Sequence, residues 1–190
     1  MNKRRILVVS LSTACAVSRK RSLNGVFLAH HMEAIMAIAP TLQKYLDQTV
    51  TYDVIPHEPT MSSMRTAEVC HISGDRLAKG VVLRRDGGYM LAVLPASCHI
   101  QLPELRTQLG ENVRLATENE MTHLFADCTP GAVPPVGTCY ALDAIIDESI
   151  NDQPEVYIEG GDHATLIHMD QSQFARLTTQ AQQGRFSVRI

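Results

Sequence analysis

Three features of the 190-residue sequence predict a mixed α/β fold in one domain. Residues 77–85 and 89–95, LAKGVVLRR and YMLAVLP, flank Asp86-Gly87-Gly88 and read as a β-hairpin. Helix signals stand between further strand-like runs: Pro103 near a first turn with Gly110 at its end, and Thr117 three residues before Glu120. No Gly-x-Gly-x-x-Gly, phosphate loop, His-Glu-x-x-His pattern or internal repeat occurs, so the strands do not read as repeated βαβ units. A chain of this length, 45% hydrophobic, can bury one sizeable core. The expected architecture is a single compact domain, a mixed, hairpin-rich sheet with short covering helices.

The first 35 residues stand apart. MNKRR, ILVVSLSTACAV and SRKRS repeat the basic and apolar regions of a secretory signal, with small residues near Ala14 and Ala16 where cleavage could fall. The apolar run is too short to cross a bilayer. Residues 1–35 are therefore assigned to an extension outside the fold, an over-long start or a signal-like segment, and the domain to residues 36–180.

Within the domain, Pro40 suits a first helical turn, and Leu42, Tyr45 and Leu46 give one apolar face to a helix ending near Gln48. Val50, Tyr52 and Val54 alternate as in a half-buried strand over 50–56. Ser62, Ser63 or Thr66 can cap a helix through Cys70. The near-continuous apolar runs of the hairpin predict central strands covered on both faces. A helix over 103–109, a strand over 113–116 and a helix from 117 to about 125 follow. Strands are expected at 144–147, 155–159 and 165–169, then a helix from 171 to about 180 capped by Asp170. Residues 181–190 are expected to form a loosely held tail.

Residues 128–137, CTPGAVPPVG, hold two glycines and three prolines and cannot be helix or central strand. Pro134 and Pro135 stiffen the loop, and Gly131 can adopt positive φ. The amides of Gly131, Ala132, Val133, Val136 and Gly137 remain as donors beside the small Ala132. Composition leaves two readings open, a pocket lined by fixed amides and a rigid surface turn.

With no tryptophan and 5% aromatic residues, a base-stacking platform is poorly supported. Six of the 17 basic residues fall within residues 1–35 against one acid, leaving 11 basic and 19 acidic residues elsewhere. So acidic a body is a poor general binder of nucleic acid, and any such contact is local or assisted. Five cysteines without C-x-x-C or close Cys/His spacing suggest a reduced, cytoplasmic protein with no metal site and no cofactor. Cys70-His71 and Cys98-His99 do not read as nucleophile and base, because adjacent side chains diverge in strand and helix alike.

LAKGVVLRR and YMLAVLP, then RLATENEMTHLF, PGAVPPVG and EVYIEGGDHATLIHM resemble, in order and spacing, the YbaK-type family of trans-acting aminoacyl-tRNA deacylases, related to the editing domain of bacterial prolyl-tRNA synthetase. The resemblance runs from about residue 41 to residue 177. It implies a compact YbaK-like domain hydrolysing the ester between a wrongly attached amino acid and the tRNA 3′ end. Its partners are then the aminoacyl-tRNA acceptor end and an optional synthetase, with no membrane.

The family's lysine falls on Lys79 and its Gly-x-x-x-Pro loop on Gly131 to Pro135. The resemblance implies that Lys79 holds the terminal adenosine or its phosphate, while Gly131, Ala132 and Val133 hold the carbonyl and limit side-chain size. Gly80 stands where better-known branches carry Thr or Asn, and Leu166 where one branch carries an acid. His163, His57 and Asp147 are further candidates, each with a plainer alternative: a histidine beside a turn, a histidine after a strand, a strand-end cap. A lysine at a strand entrance is itself commonly solvated. The function expected is deacylation of tRNA carrying alanine, serine or cysteine. The alternative is a non-catalytic tRNA- or synthetase-binding module.

Overall fold

The computed structural model describes residues 38–190, so the expectations for residues 1–35 lie outside the described residues. Five α-helices and ten strands follow in order: α1 (Pro40–Thr49), β1 (Asp53–Pro56), α2 (Ser63–Val69), β2 (Leu77–Arg85), β3 (Gly88–Pro95), β4 (Cys98–Ile100), α3 (Leu102–Leu109), β5 (Arg114–Leu115), α4 (Glu118–Leu124), β6 (Asp143–Asp147), β7 (Glu155–Glu159), β8 (Thr165–Asp170), α5 (Gln171–Leu177), β9 (Gln182–Gly184) and β10 (Ser187–Arg189). Short 3-10 turns at Thr138–Tyr140 and Glu148–Ile150 flank β6.

The main sheet is mixed and runs β1-β8-β7-β2-β3-β6-β9, with β5 on β2 and a separate β10-β4 pair. The β2/β3 hairpin pairs Arg85 with Gly88, so Asp86 and Gly87 alone make the two-residue turn. These strands are the sheet's centre. One face, carrying Val82, Leu91, Val93 and Ile146, packs on Leu42 and Leu46 of α1 and on Phe174 and Leu177 of α5. The opposite face, carrying Leu83, Met90, Ala92, Leu94 and Ile145, packs on Leu105 of α3 and on Phe186. Period-two alternation thus splits β3 between two cores, which explains its unbroken apolar sequence.

Helix ends follow their predicted signals with one exception. Thr117 and Glu120 form a reciprocal capping box, and Gly110 closes α3 at φ 68°. Asp170 occupies the N-cap of α5 but makes no side-chain cap bond. That helix also stops at Leu177, short of residue 180.

The expected loose tail is the main correction. β9 pairs in parallel with β6, and β10 pairs antiparallel with β4. Phe186 is fully buried between them. Tertiary pairing overrides a polar, turn-like composition, AQQGRFSVRI, that offers no local strand signal.

Candidate functional site

The site arises where two central strands part. β2 pairs with β7 only at Leu77 and Ala78, and further along the same edge it pairs with β5 at Leu83 and Arg84. Lys79 and Gly80 fall between, and β7 ends at Glu159. A cavity of about 70 Å³ opens there, lined by Lys79 and Gly80 of β2, Gly131 and Val133 of the proline loop, and Glu159 and His163. Its remaining wall is the segment from Thr60 to Thr66, held by Thr60 N–H donating to His163 O at 3.0 Å and by a 2.5 Å hydroxyl pair between Thr60 and Thr66.

Two consecutive glycines make the geometry possible. Ala39 N–H donates to Gly160 O, and Thr129 N–H donates to Gly161 O, each at 2.8 Å. Gly161 has φ 106°, and a Cβ there would stand 2.8 Å from the Ala39 Cβ and 3.1 Å from Cys128 Sγ. One turn therefore fixes the start of α1 and the start of the proline loop. Any larger residue would push them apart.

The loop itself is folded inward. Gly131 takes φ 89°, Ala132 N–H donates to Thr129 O at 2.9 Å, and Val133 N–H donates to Gly131 O at 3.0 Å. Those two amides, expected as donors on the rim, are used within the loop. The Gly131 N–H has no acceptor among the described residues and lies at the exposed end of the loop. Ala132 and Pro135 are buried and do not line the cavity, so the wall expected at Ala132 is formed by Val133.

Lys79 is half-buried, and its Nζ donates to Ala96 O at 3.2 Å. Burial pulls its pKa down from the ordinary lysine value. The missing side chain at Gly80 eases a tight contact: a Cβ would stand 3.1 Å from both Leu91 Cδ1 and Val133 Cγ1, and those side-chain ends would have to give way. His163 is buried in the left-handed region at φ 64°, unusual for a residue other than glycine. Its backbone N–H donates to Glu159 Oε1 at 3.1 Å and its ring Nε2 pairs with Pro130 O at 3.0 Å, so the residue, through backbone and ring together, links the end of β7 to the loop.

Two candidates lie elsewhere. His57 follows β1, pairs its Nδ1 with Glu58 O, and is outside the cavity lining. Asp147 caps the turn after β6, accepting from Ser149 N–H and Oγ and from the Phe186 N–H. It borders a different depression, with Glu148 and Arg185. The strand-end cap is thus its structural role.

Glu159 is the charged cavity residue that sequence reasoning missed, along with Thr60, Met61, Leu77 and Ala78. Its signal was an acid directly before Gly160-Gly161 at a strand end. Burial pushes its carboxyl up, more than the Gly161 and His163 amides pull it down. The thiols of Cys70, Cys128 and Cys139 are poor nucleophiles: burial pushes Cys128 up to about 11 and Cys139 up to about 12, and raises Cys70. Among the described residues no three His, Cys, Asp or Glu side chains form a metal-binding group.

The model of the aminoacyl-tRNA editing domain family matches residues 57–177. Among solved structures, a candidate trans-editing enzyme for prolyl-tRNA synthetase superposes with a TM-score of 0.71 at 24% identity, covering 80% of this chain and 98% of that one. A scaffold protein from computational epitope grafting gives 0.70 at 22% identity, covering 79% and 97%. A hypothetical protein gives 0.68 at 19% identity, covering 78% and 99%. These likenesses show the fold. No curated protein sequence matches significantly.

Proposed function

This chain belongs to the aminoacyl-tRNA editing domain family, and from that premise we propose that it is a trans-acting deacylase hydrolysing the ester of tRNA charged with a small wrong amino acid. The observation that carries the reading is the open N–H of Gly131, held at positive φ on the rim of a cavity that Lys79 also lines. A fixed amide facing an ester carbonyl stabilises the oxyanion that develops when the carbonyl carbon is attacked. The Lys79 ammonium, held at the strand entrance, suits the phosphate of the terminal adenosine.

The nucleophile in this reading is water, or the free ribose hydroxyl assisting it, since no cysteine among the described residues lines the cavity. Water oxygen adds to the carbonyl carbon, the bond to the ribose oxygen breaks, and that oxygen takes the proton. Free amino acid and uncharged tRNA leave. The narrow space beside Val133 and Gly80 favours alanine, serine or cysteine over larger residues.

The test is a panel of mischarged tRNAs incubated with the purified protein and with Lys79→Ala. A charge-assisted contact contributes about 1.5–3 kcal/mol, so the variant should lose about ten- to a hundredfold in rate with its fold intact. A well-folded variant that retains the wild-type rate removes Lys79 from the site. A protein that binds the panel and cleaves none of it is the non-catalytic module instead.

A further inference from the structure

We propose that Glu159 is the anion that receives the α-ammonium group of the aminoacyl ester, an inference that rests on the editing reading above. Glu159 is the last residue of β7, and the Gly160-Gly161 turn that follows bends back over its carboxylate. Oε1 accepts the N–H of Gly161 at 3.2 Å and the N–H of His163 at 3.1 Å, which fixes the group in orientation. No donor among the described residues reaches Oε2, and no lysine or arginine among them forms an ion pair with Glu159. Of the described residues His163 is the one whose charge would attract this half-buried carboxylate, and a sheltered carboxylate with no lysine or arginine paired to it is costly unless something supplies the counter-charge.

The substrate class supplies it. An aminoacyl ester carries a free ammonium two bonds from the carbonyl carbon, so holding the carbonyl at Gly131 brings that ammonium within reach of a neighbouring anion. Here a single histidine links the two positions. The backbone of His163 binds Glu159, and its ring tip would be 3.5 Å from a Cβ placed on Gly131.

The charges are also separated in the sense the substrate needs. Lys79 gives one of its three donors to Ala96 O and forms no ion pair with Glu159 among the described residues. An acid and a base in one small cavity that do not neutralise each other match a ligand with an ammonium and a phosphate. The arrangement selects esters with a free α-amino group and rejects the same esters once the amine is acylated, because an N-acyl group removes the charge and leaves the carboxylate buried and unpaired. Peptidyl and formylated aminoacyl ends are therefore excluded.

Binding tests this apart from turnover. The probes are 3′-alanylamino-3′-deoxyadenosine 5′-monophosphate, whose amide resists hydrolysis, and its N-acetyl form, titrated into the full chain by calorimetry. The free-amine probe should bind at least about tenfold more tightly, and Glu159→Gln, whose amide oxygen can still accept from Gly161 and His163, should abolish that difference. Equal affinity for the two probes in the wild type, no binding of either, or a preference that survives in Glu159→Gln overturns the assignment. The wild-type comparison decides even if the variant does not fold. A preference for the free amine in a protein that cleaves no mischarged tRNA keeps Glu159 and removes the deacylase reading. Cleavage without that preference does the reverse.

Discussion

Gly80 and Val133 meet at the cavity, and their contact is tight: a Cβ on Gly80 would be 3.1 Å from Val133 Cγ1, so the valine would have to give way slightly. Gly80→Ala overpacks this contact and should destabilise the protein by about 1–3 kcal/mol. Val133→Ala relieves it, so the double variant should be more stable than the sum of the two single changes implies, with a coupling of about 0.5–3 kcal/mol in denaturant melts. Additive effects would mean that the two residues do not share a wall. Val133→Ala should also widen the cavity and raise the rate on cysteinyl relative to alanyl ester. The family resemblance assigned this wall to Ala132 as well, but the tight turns of the loop bury Ala132 and present Val133.

At the scale of elements, Asp147 is a structural clamp at the end of β6 that ties the C-terminal strands to the sheet. Burial alone would raise its pKa, but hydrogen bonds from the Ser149 side chain and from the Phe186 and Ser149 amides together lower it below the ordinary aspartate value. A carboxylate depressed in the folded state contributes stability that is full above its unfolded pKa and is lost as pH falls through the folded one. The stability gap between wild type and Asp147→Asn should therefore be widest at neutral pH and close below about pH 3.9. Melts across pH 2–7 check this, and a gap independent of pH would show that the amide substitutes for the charge. Hydrogen exchange at residues 182–189 should rise in the variant, since Phe186 N–H loses its charged acceptor.

Across the whole molecule, the cavity depends on chain segments far apart in sequence that the Gly160-Gly161 turn holds together. Ile38 and Ala39 belong to the main core, and Ala39 N–H is bonded to Gly160. A chain beginning at Met36 should keep its melting temperature within a few degrees and its full rate on mischarged tRNA, because every contact described for the site is retained. A chain beginning at Thr41 should lose about 2 kcal/mol or more from the missing apolar burial, together with much of its activity as the turn loosens. If the Met36 chain unfolds, residues 1–35 are part of the core. Charge fits a local encounter with tRNA. Arg84 and Arg85 are paired with Glu120, Glu111 and Asp143, so Lys79 is the cation in the cavity on an otherwise acidic body.

Local rules in the sequence determined the hairpin, the capping box at Thr117, the αL end at Gly110 and the positive φ of Gly131, because turn and cap chemistry act within a few residues. Lys79 and the proline loop were legible as separate motifs, and their joint role came only with the family resemblance. The tertiary structure decided that β2 and β7 part beyond Ala78, which is what opens the cavity. It also moved Asp147 and His57 out of that cavity, brought Glu159 into it, left Val133 rather than Ala132 on its wall, and paired residues 182–189 into sheets. Each of these is a contact between segments tens of residues apart. Strand pairing and burial in such contacts depend on what the rest of the chain presents, which no window of sequence contains.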